Sequence, residues 1–404
     1  MLDNNRFSLI FIILIVHHVS AIGRDGLKLI FEDKFDSSLT LNGSIWNYNY
    51  PWGSTYNHRA NMIRRQVAIT DLGQVKLIAI PIRSTNITLD TVDYGIIDVD
   101  YTSGAIHTNS LTTLKRGLTV VNMRVPSVAS TWPMIMLVPF DETLPMLTMD
   151  VFNDRRNIGY TFRYTSQTGS SESVSGTTRS SVDNSLDYHS YAIDWGYDKI
   201  SFLFDNILLR SYIKSNEISQ ISDMSLVIAL GVGGRSQSTP INSSDYPATL
   251  FINNVQMWEP KFDGRFKIIN YNSKLVLEVE NGFTSDFARV IQTSDKGTLW
   301  QQWDIYYVGY NTYKIVNVNS RKVLDDYDWQ TNDGAKIVQY KFEAKDNQIW
   351  KIIENEDADN TITLVNVWAQ KAASFVGAST QIGSQLVLNE MNDGPDQKWT
   401  LIRL

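Results

Sequence analysis

"YKIVNVNSRKVLDD" (313–326), followed by "NQIW" (347–350), is the stretch on which the reading of the fold turns. A run of β-formers, an Asn-centred turn, a second short run and a Gln-x-Trp triplet make one unit. The unit recurs on both sides. "KIINYNSKLVLEV" (267–279) leads to Gln301-Gln302-Trp303, and "ITLVNVWAQKAASFV" (362–376) leads to Gln397-Lys398-Trp399. Asn270, Asn317 and Asn366 stand 47 and 49 residues apart, and Trp303, Trp350 and Trp399 keep the same spacings. Two independent markers in one register define an internal repeat. Three units of strand-and-turn composition are what a threefold β-trefoil needs, with the triplet tryptophans in its shared core.

Upstream of the repeats, helical periodicity is weak, and short β-rich runs are bounded by Gly, Asn, Asp and Pro. "QVKLIAIPI" (74–82), "GLTVVNMRV" (117–125), "YAIDWGYDKISFLFDN" (191–206), "SLVIALGV" (225–232) and "TLFINNVQMW" (249–258) read as strands. Ile200, Phe202 and Phe204 alternate, as in a strand with one face on a core. "SQTGSSESVSGTTRSSVDNS" (166–185) has no apolar periodicity and reads as an exposed loop. The pattern changes near 259–264. The 404 residues have room for two cores, an antiparallel sandwich over 22–260 and the trefoil over 261–404.

Net charge is −7, so no basic field attracts nucleic acid. Residues 1–21 read as a signal peptide: Arg6 precedes the apolar run 9–16, and Val19-Ser20-Ala21 offers a cleavage site. No stretch reaches the roughly 20 apolar residues of a membrane span, so a secreted, extracellular chain is expected. The sequons at Asn42, Asn86 and Asn242 fit that route. Cysteine is absent, and domains of this size need no disulfide staples.

The repeats resemble the ricin-type β-trefoil lectins, carbohydrate-binding module family 13. That resemblance implies a sugar pocket made of an Asp after the repeat's second strand, an aromatic ten residues before the triplet Trp, and an Asn-Gln ahead of it. The middle repeat has all of these in Asp325, Tyr340, Asn347 and Gln348. The first has Glu278, Thr293 and Trp300 at the Asp, aromatic and Asn positions, and the third has Ser374, Asn389 and Asp396. One competent pocket is expected, although Asp325 and Asp326 also read as a turn.

The upstream part resembles glycoside hydrolase family 16, the laminarinase-like enzymes and their β-1,3-glucan recognition relatives of innate immunity. "FEDKFD" (31–36), "YTSGAIHT" (101–108), "RVPSVASTWPMIML" (124–137), "YHSYAIDWGYDKISFLFDN" (188–206) and "FINNVQMW" (251–258) carry the likeness in order. It implies a concanavalin-like jelly roll with a glucan groove. It also implies a catalytic strand carrying Glu-x-Asp-x-Glu, sometimes with one extra residue before the last Glu. Retaining hydrolysis needs two of those carboxyl groups about 5–5.5 Å apart. Here the strand is "LPMLTMDVF" (144–152). Aligned on Pro145, Met146 takes the nucleophile position and Thr148 the middle acid; Asp150, or Val151 with the extra residue, takes the acid/base. Sliding by two seats Thr148, Asp150 and Asn153 instead. No register leaves a pair. Asp141 and Glu142 precede the strand as possible stand-ins.

Further departures are Arg163 for a His on the next strand, Ala229 for an Asn and Met136 for a second Trp. Trp132, Asn61, Arg64 and Tyr101 are candidates to line the groove, and Trp132 reads equally well as core. The expected function is carbohydrate binding, β-1,3-glucan favoured, without catalysis; the alternative is an active endo-β-1,3-glucanase docked by its lectin domain. No cofactor or metal motif is present, and the resemblance leaves a calcium ion on the sandwich open.

Overall fold

The computed structural model describes residues 26–36, 39–55, 59–82, 99–108, 110, 112–139, 145–152, 154–213, 215–218, 221, 223–233, 242–357 and 359–404. Residues 1–21, the sequon at Asn86, Asp141, Glu142 and Asn153 lie outside them. The described chain is all-β: a two-sheet sandwich, then a β-trefoil. No helix among the described residues is long and apolar enough to cross a membrane.

One sandwich sheet is centred on Gly117–Arg124, with His189–Trp195 and Ala248–Pro260 on either side. The other runs Ser171–Arg179, Asn157–Thr165, Met146–Phe152, Thr131–Pro139, Met224–Val232, Ala105–Thr108, Trp46–Tyr48. Pairing is antiparallel throughout these sheets except between Ala60–Met62 and Tyr101–Ser103, which run parallel. Alternation explains the core. Val75, Leu77 and Ala79 turn inward while their neighbours are half-buried, and Ile200, Phe202 and Phe204 join the same cluster.

The stretch 166–185 is not simply a loop. After a turn at 166–170 the chain forms the strand Ser171–Arg179. It is the outermost strand of its sheet and pairs only with Asn157–Thr165. An edge strand with both faces near water needs no apolar residues, so Ser and Thr suffice and the sequence pattern is silent.

In the trefoil each repeat supplies four strands, such as Thr312–Asn317, Val323–Asp326, Ala335–Tyr340 and Trp350–Glu354 in the middle one. The three triplet tryptophans are fully buried, and their indole N–H groups donate to the carbonyls of Leu277, Leu324 and Ala373 at 3.1–3.2 Å. Asn270, Asn317 and Asn366 each donate from the side chain to a backbone carbonyl at 2.8–3.0 Å. The tryptophans therefore pin strands within each unit, and the asparagines staple one unit to the next.

The two domains share an apolar contact. Leu118, Val120, Ala192 and Leu203 leave the sandwich sheet on its outer face and pack with Ile305, Tyr307 and Tyr313 of the trefoil. Tyr307 Oη donates to the buried Asp194 at 2.7 Å, and Tyr313 Oη to the Gly26 carbonyl at 2.7 Å. Gly196 is required here, since a Cβ would lie 2.5 Å from the Val308 backbone.

Candidate functional site

In Met146–Phe152, Leu147, Met149 and Val151 are fully buried in the sandwich core. Met146, Thr148 and Asp150 therefore share the opposite face. Across the sheet, Met146 pairs with Arg163, Thr148 with Met136 and Thr161, and Asp150 with Met134 and Gly159. Ala229 and Val227 follow beyond Met134 and Met136. Among the described positions of this face on these strands, Asp150 is the one carboxylate.

Asp150 is 1% exposed and accepts a 2.7 Å hydrogen bond from Trp132 Nε1. The indole N–H thus occupies one carboxylate oxygen and fixes the side chain against the sheet. Trp132 is 7% exposed: it holds Asp150 from the next strand and presents little face to a sugar. The indole and the carboxylate stand 18 residues apart in the chain, and only the sheet brings them together.

The other groove candidates scatter. Tyr101 is buried and packs at a tilt against Tyr246 with ring centroids 4.8 Å apart. Tyr246 Oη lies 3.1 Å from Ser130 Oγ, two residues before Trp132. Tyr101 is thus joined to Trp132 through two residues that the sequence pattern does not single out, and the Tyr-Pro at 246–247 is the one signal that could have found them. Burial pushes the Tyr246 hydroxyl up to about 12 and Tyr101 up as well, the nearby Asp100 adding to the latter. Both are neutral donors at ordinary pH. Asn61 lies on the strand beside Tyr101 with its Oδ1 buried and unpaired. Arg64 lies apart, its guanidinium 4.8 Å from the Tyr48 ring centroid, and lines a cavity of about 380 Å³ with Leu39, Leu41, Tyr48 and Arg65.

In the trefoil the middle repeat assembles its expected set. Asp325 lies at the end of the second strand, and Asn347 and Gln348 come from the one-turn segment Asp346–Gln348. Gln348 Nε2 donates to Asp325 Oδ2 at 2.8 Å and to the Lys341 carbonyl at 2.8 Å, while its Oε1 accepts from the Glu343 N–H. With its amide hydrogens and oxygen engaged and 1% of the residue exposed, Gln348 holds Asp325 in place. Asn347 Nδ2 donates to the Asp326 carbonyl at 3.1 Å, leaving Oδ1 buried and unpaired. Tyr340 is half-buried beside them. Burial pushes the Asp325 carboxyl up to about 6, against the bonds from Gln348 and Asn347. Burial and the Asp325 charge push Asp326 up to about 7. An ionised Asp325, the free Asn347 oxygen and the Tyr340 face offer acceptors and a stacking surface, the chemistry a neutral sugar needs.

The outer repeats lack it. Gln301 holds Glu278 at 2.8 Å, but no aromatic stands at Thr293. In the third, Asn389 Nδ2 closes on Ser374 Oγ at 2.7 Å. No group of three or more His, Asp or Glu side chains placed to share a metal ion occurs among the described residues.

Residues 83–246 match the model for glycosyl hydrolases family 16, and residues 254–340 that for the ricin-type beta-trefoil lectin domain-like family. The two matches follow one another along the chain, the first within the sandwich and the second running from its last strand into the trefoil. It is 24% identical over 267 residues to glucan endo-1,3-beta-glucosidase A1 of Niallia circulans, covering 58% of this chain and 38% of that protein. It is 21% identical over 330 residues to the clotting factor G alpha subunit of Tachypleus tridentatus, covering 71% and 43%. The chain therefore spans less than half the length of either relative. Among solved structures it is similar to the designed threefold-symmetric protein ThreeFoil, at 37% identity and TM-score 0.34, over 35% of this chain and 100% of that one. It is also similar to SCLam, a non-specific endo-beta-1,3(4)-glucanase from family GH16, at 18% identity and TM-score 0.49, over 58% and 92%.

Proposed function

We propose that this is a secreted carbohydrate-binding protein that holds β-1,3-glucan without cleaving it. The observation that carries the reading is the strand Met146–Phe152: Met146 and Thr148 share a face with a single carboxylate, and Asp150 is buried against the Trp132 indole. Neither a thioether nor an unassisted hydroxyl replaces a carboxylate nucleophile, so positions 146 and 148 cannot form the covalent glycosyl intermediate. The middle trefoil repeat supports the reading by bringing Asp325, Asn347 and Tyr340 together. Two sugar-holding domains on one chain gain from effective concentration along a polymer, a property suited to recognition of the kind performed by β-1,3-glucan recognition proteins.

The test is a reducing-end assay on laminarin beside a curdlan pull-down of the purified chain. Retention on curdlan with no new reducing ends is expected, and Asp325→Ala weakens retention. Turnover that disappears in Asp150→Asn would instead establish an endo-β-1,3-glucanase.

A further inference from the structure

The threefold repeat supplies an internal control, because each position of the middle repeat can be compared with its equivalents 47 residues before and 49 after. Two positions of the middle repeat depart from the pattern, and one in each outer repeat departs beside them.

Trp329 ends the segment Tyr327–Trp329 with φ +57°, where the other repeats have Gly282 at +67° and Ala378 at +54°. Phe287 has φ +66°, where the others have Gly334 at +81° and Gly383 at +85°. All three of these last positions make the same backbone bond, from their N–H to a carbonyl at 2.8 Å. A left-handed backbone disfavours large side chains, so folding alone selects a small residue at these places. Trp368 Nε1 donates to the Trp329 carbonyl at 3.1 Å, a bond that Asn319 makes to Gly282 at 3.0 Å and Asn272 to Ala378 at 3.3 Å. An asparagine therefore suffices for the structural task, and most of the Trp368 ring is surplus to it. Asp326 is fully buried where the other repeats bury Val279 and Phe375. Neither of its carboxylate oxygens completes a hydrogen bond, although the Gln330 amide is near enough to favour the charge.

These departures are contiguous with the pocket. Phe287 lies 4.9 Å from Tyr340 and 5.6 Å from Tyr327 between ring centroids, and Trp329 lies 5.1 Å from Trp368. Asn347 is bonded to the Asp326 carbonyl, and Asn366, two residues before Trp368, is bonded to the Asn347 carbonyl. Phe287, Tyr327, Trp329 and Trp368 are 55, 38, 42 and 46% exposed. Exposed aromatic rings around a cluster of unpaired acceptors call for a ligand with apolar faces and many hydroxyl donors. The nearby carboxylates Asp286, Asp325, Asp326 and Asp328 disfavour an acidic polymer.

We propose that the middle repeat binds at least three consecutive residues of a neutral polysaccharide, one on Asp325, Asn347 and Tyr340 and its neighbours against Phe287 and the Trp329–Trp368 pair. This deepens the proposed function and rests on the middle pocket holding sugar. The whole chain is titrated with glucose and with laminari-oligosaccharides of two to six units, and in parallel with galactose and a xylo-oligosaccharide ladder. Native affinity should rise about tenfold or more between one and three units in one of these series, with tryptophan fluorescence changing only for the longer ligands. Trp329→Gly, Phe287→Gly and Trp368→Asn install the residues of the other repeats, so they should melt no lower than the native chain. Each should remove most of the gain with length. Affinity independent of length, or a gain that survives all three substitutions, overturns the extended site. If Asp325→Ala leaves the trefoil's binding intact, the pocket assignment itself fails. Absence of native binding in every series overturns both.

Discussion

Acidification should weaken sugar binding by the middle repeat while stabilising the trefoil around it. Asp325 accepts hydroxyl bonds at full capacity only when ionised, and its carboxyl stands at about 6. The ionised fraction is close to complete at pH 7.5 and roughly one tenth at pH 5, so affinity should fall about tenfold between them. Stability runs the other way. A carboxyl raised in the folded state contributes stability that is complete below its unfolded value of 3.8 and is lost as pH rises through the folded value. The shift from 3.8 to about 6 corresponds to about 3 kcal/mol for Asp325. Asp326, raised to about 7, extends the loss toward neutrality. Calorimetric titration from pH 4.5 to 8, compared between native protein and Asp325→Ala, isolates the pocket's share of binding; urea melts over the same range report stability. Asp325→Asn should bind weakly with a flat profile. A native affinity that is flat across this range, or that strengthens on acidification, would refute the argument.

The domain junction should show a similar stability trend. Asp194, 2% exposed and bonded by the Tyr307 hydroxyl and the Tyr310 N–H, is pushed up to about 6 by burial. Native stability should therefore drop as pH rises through 6. Asp194→Asn should be the more stable protein at pH 8 by about 1–3 kcal/mol, and melts that coincide at every pH would exclude this ionisation. In the sandwich, Trp132→Phe takes a donor from the buried Asp150 carboxylate and should cost about 1.5–3 kcal/mol in urea unfolding. An unchanged midpoint would mean that the indole bond does not persist in solution.

Much of the trefoil is legible in the sequence because its markers are also its staples. A residue that must bury an indole and donate to a carbonyl of its own unit's second strand cannot drift, so Trp303, Trp350 and Trp399 keep their spacing. The shared face of Met146, Thr148 and Asp150 is legible for a similar reason, since a strand has a period of two. The strand Ser171–Arg179 escapes notice because an edge strand in water carries no apolar signature. Phe287, Trp329 and Trp368 can be found by extending the repeat register to every position. Local pattern alone passes over them, because a lone aromatic in a turn has no periodicity of its own.

By itself the sequence determined the all-β class and the threefold repeat, and both follow from residue types at fixed local spacing. The tertiary structure alone decided that Trp132 holds Asp150, that Gln348 anchors Asp325, and that Asp194 of the sandwich receives Tyr307 of the trefoil across 113 residues. Those pairings join strands distant in the chain, and a hydrogen bond between two side chains leaves no mark on either sequence neighbourhood until packing brings them within reach.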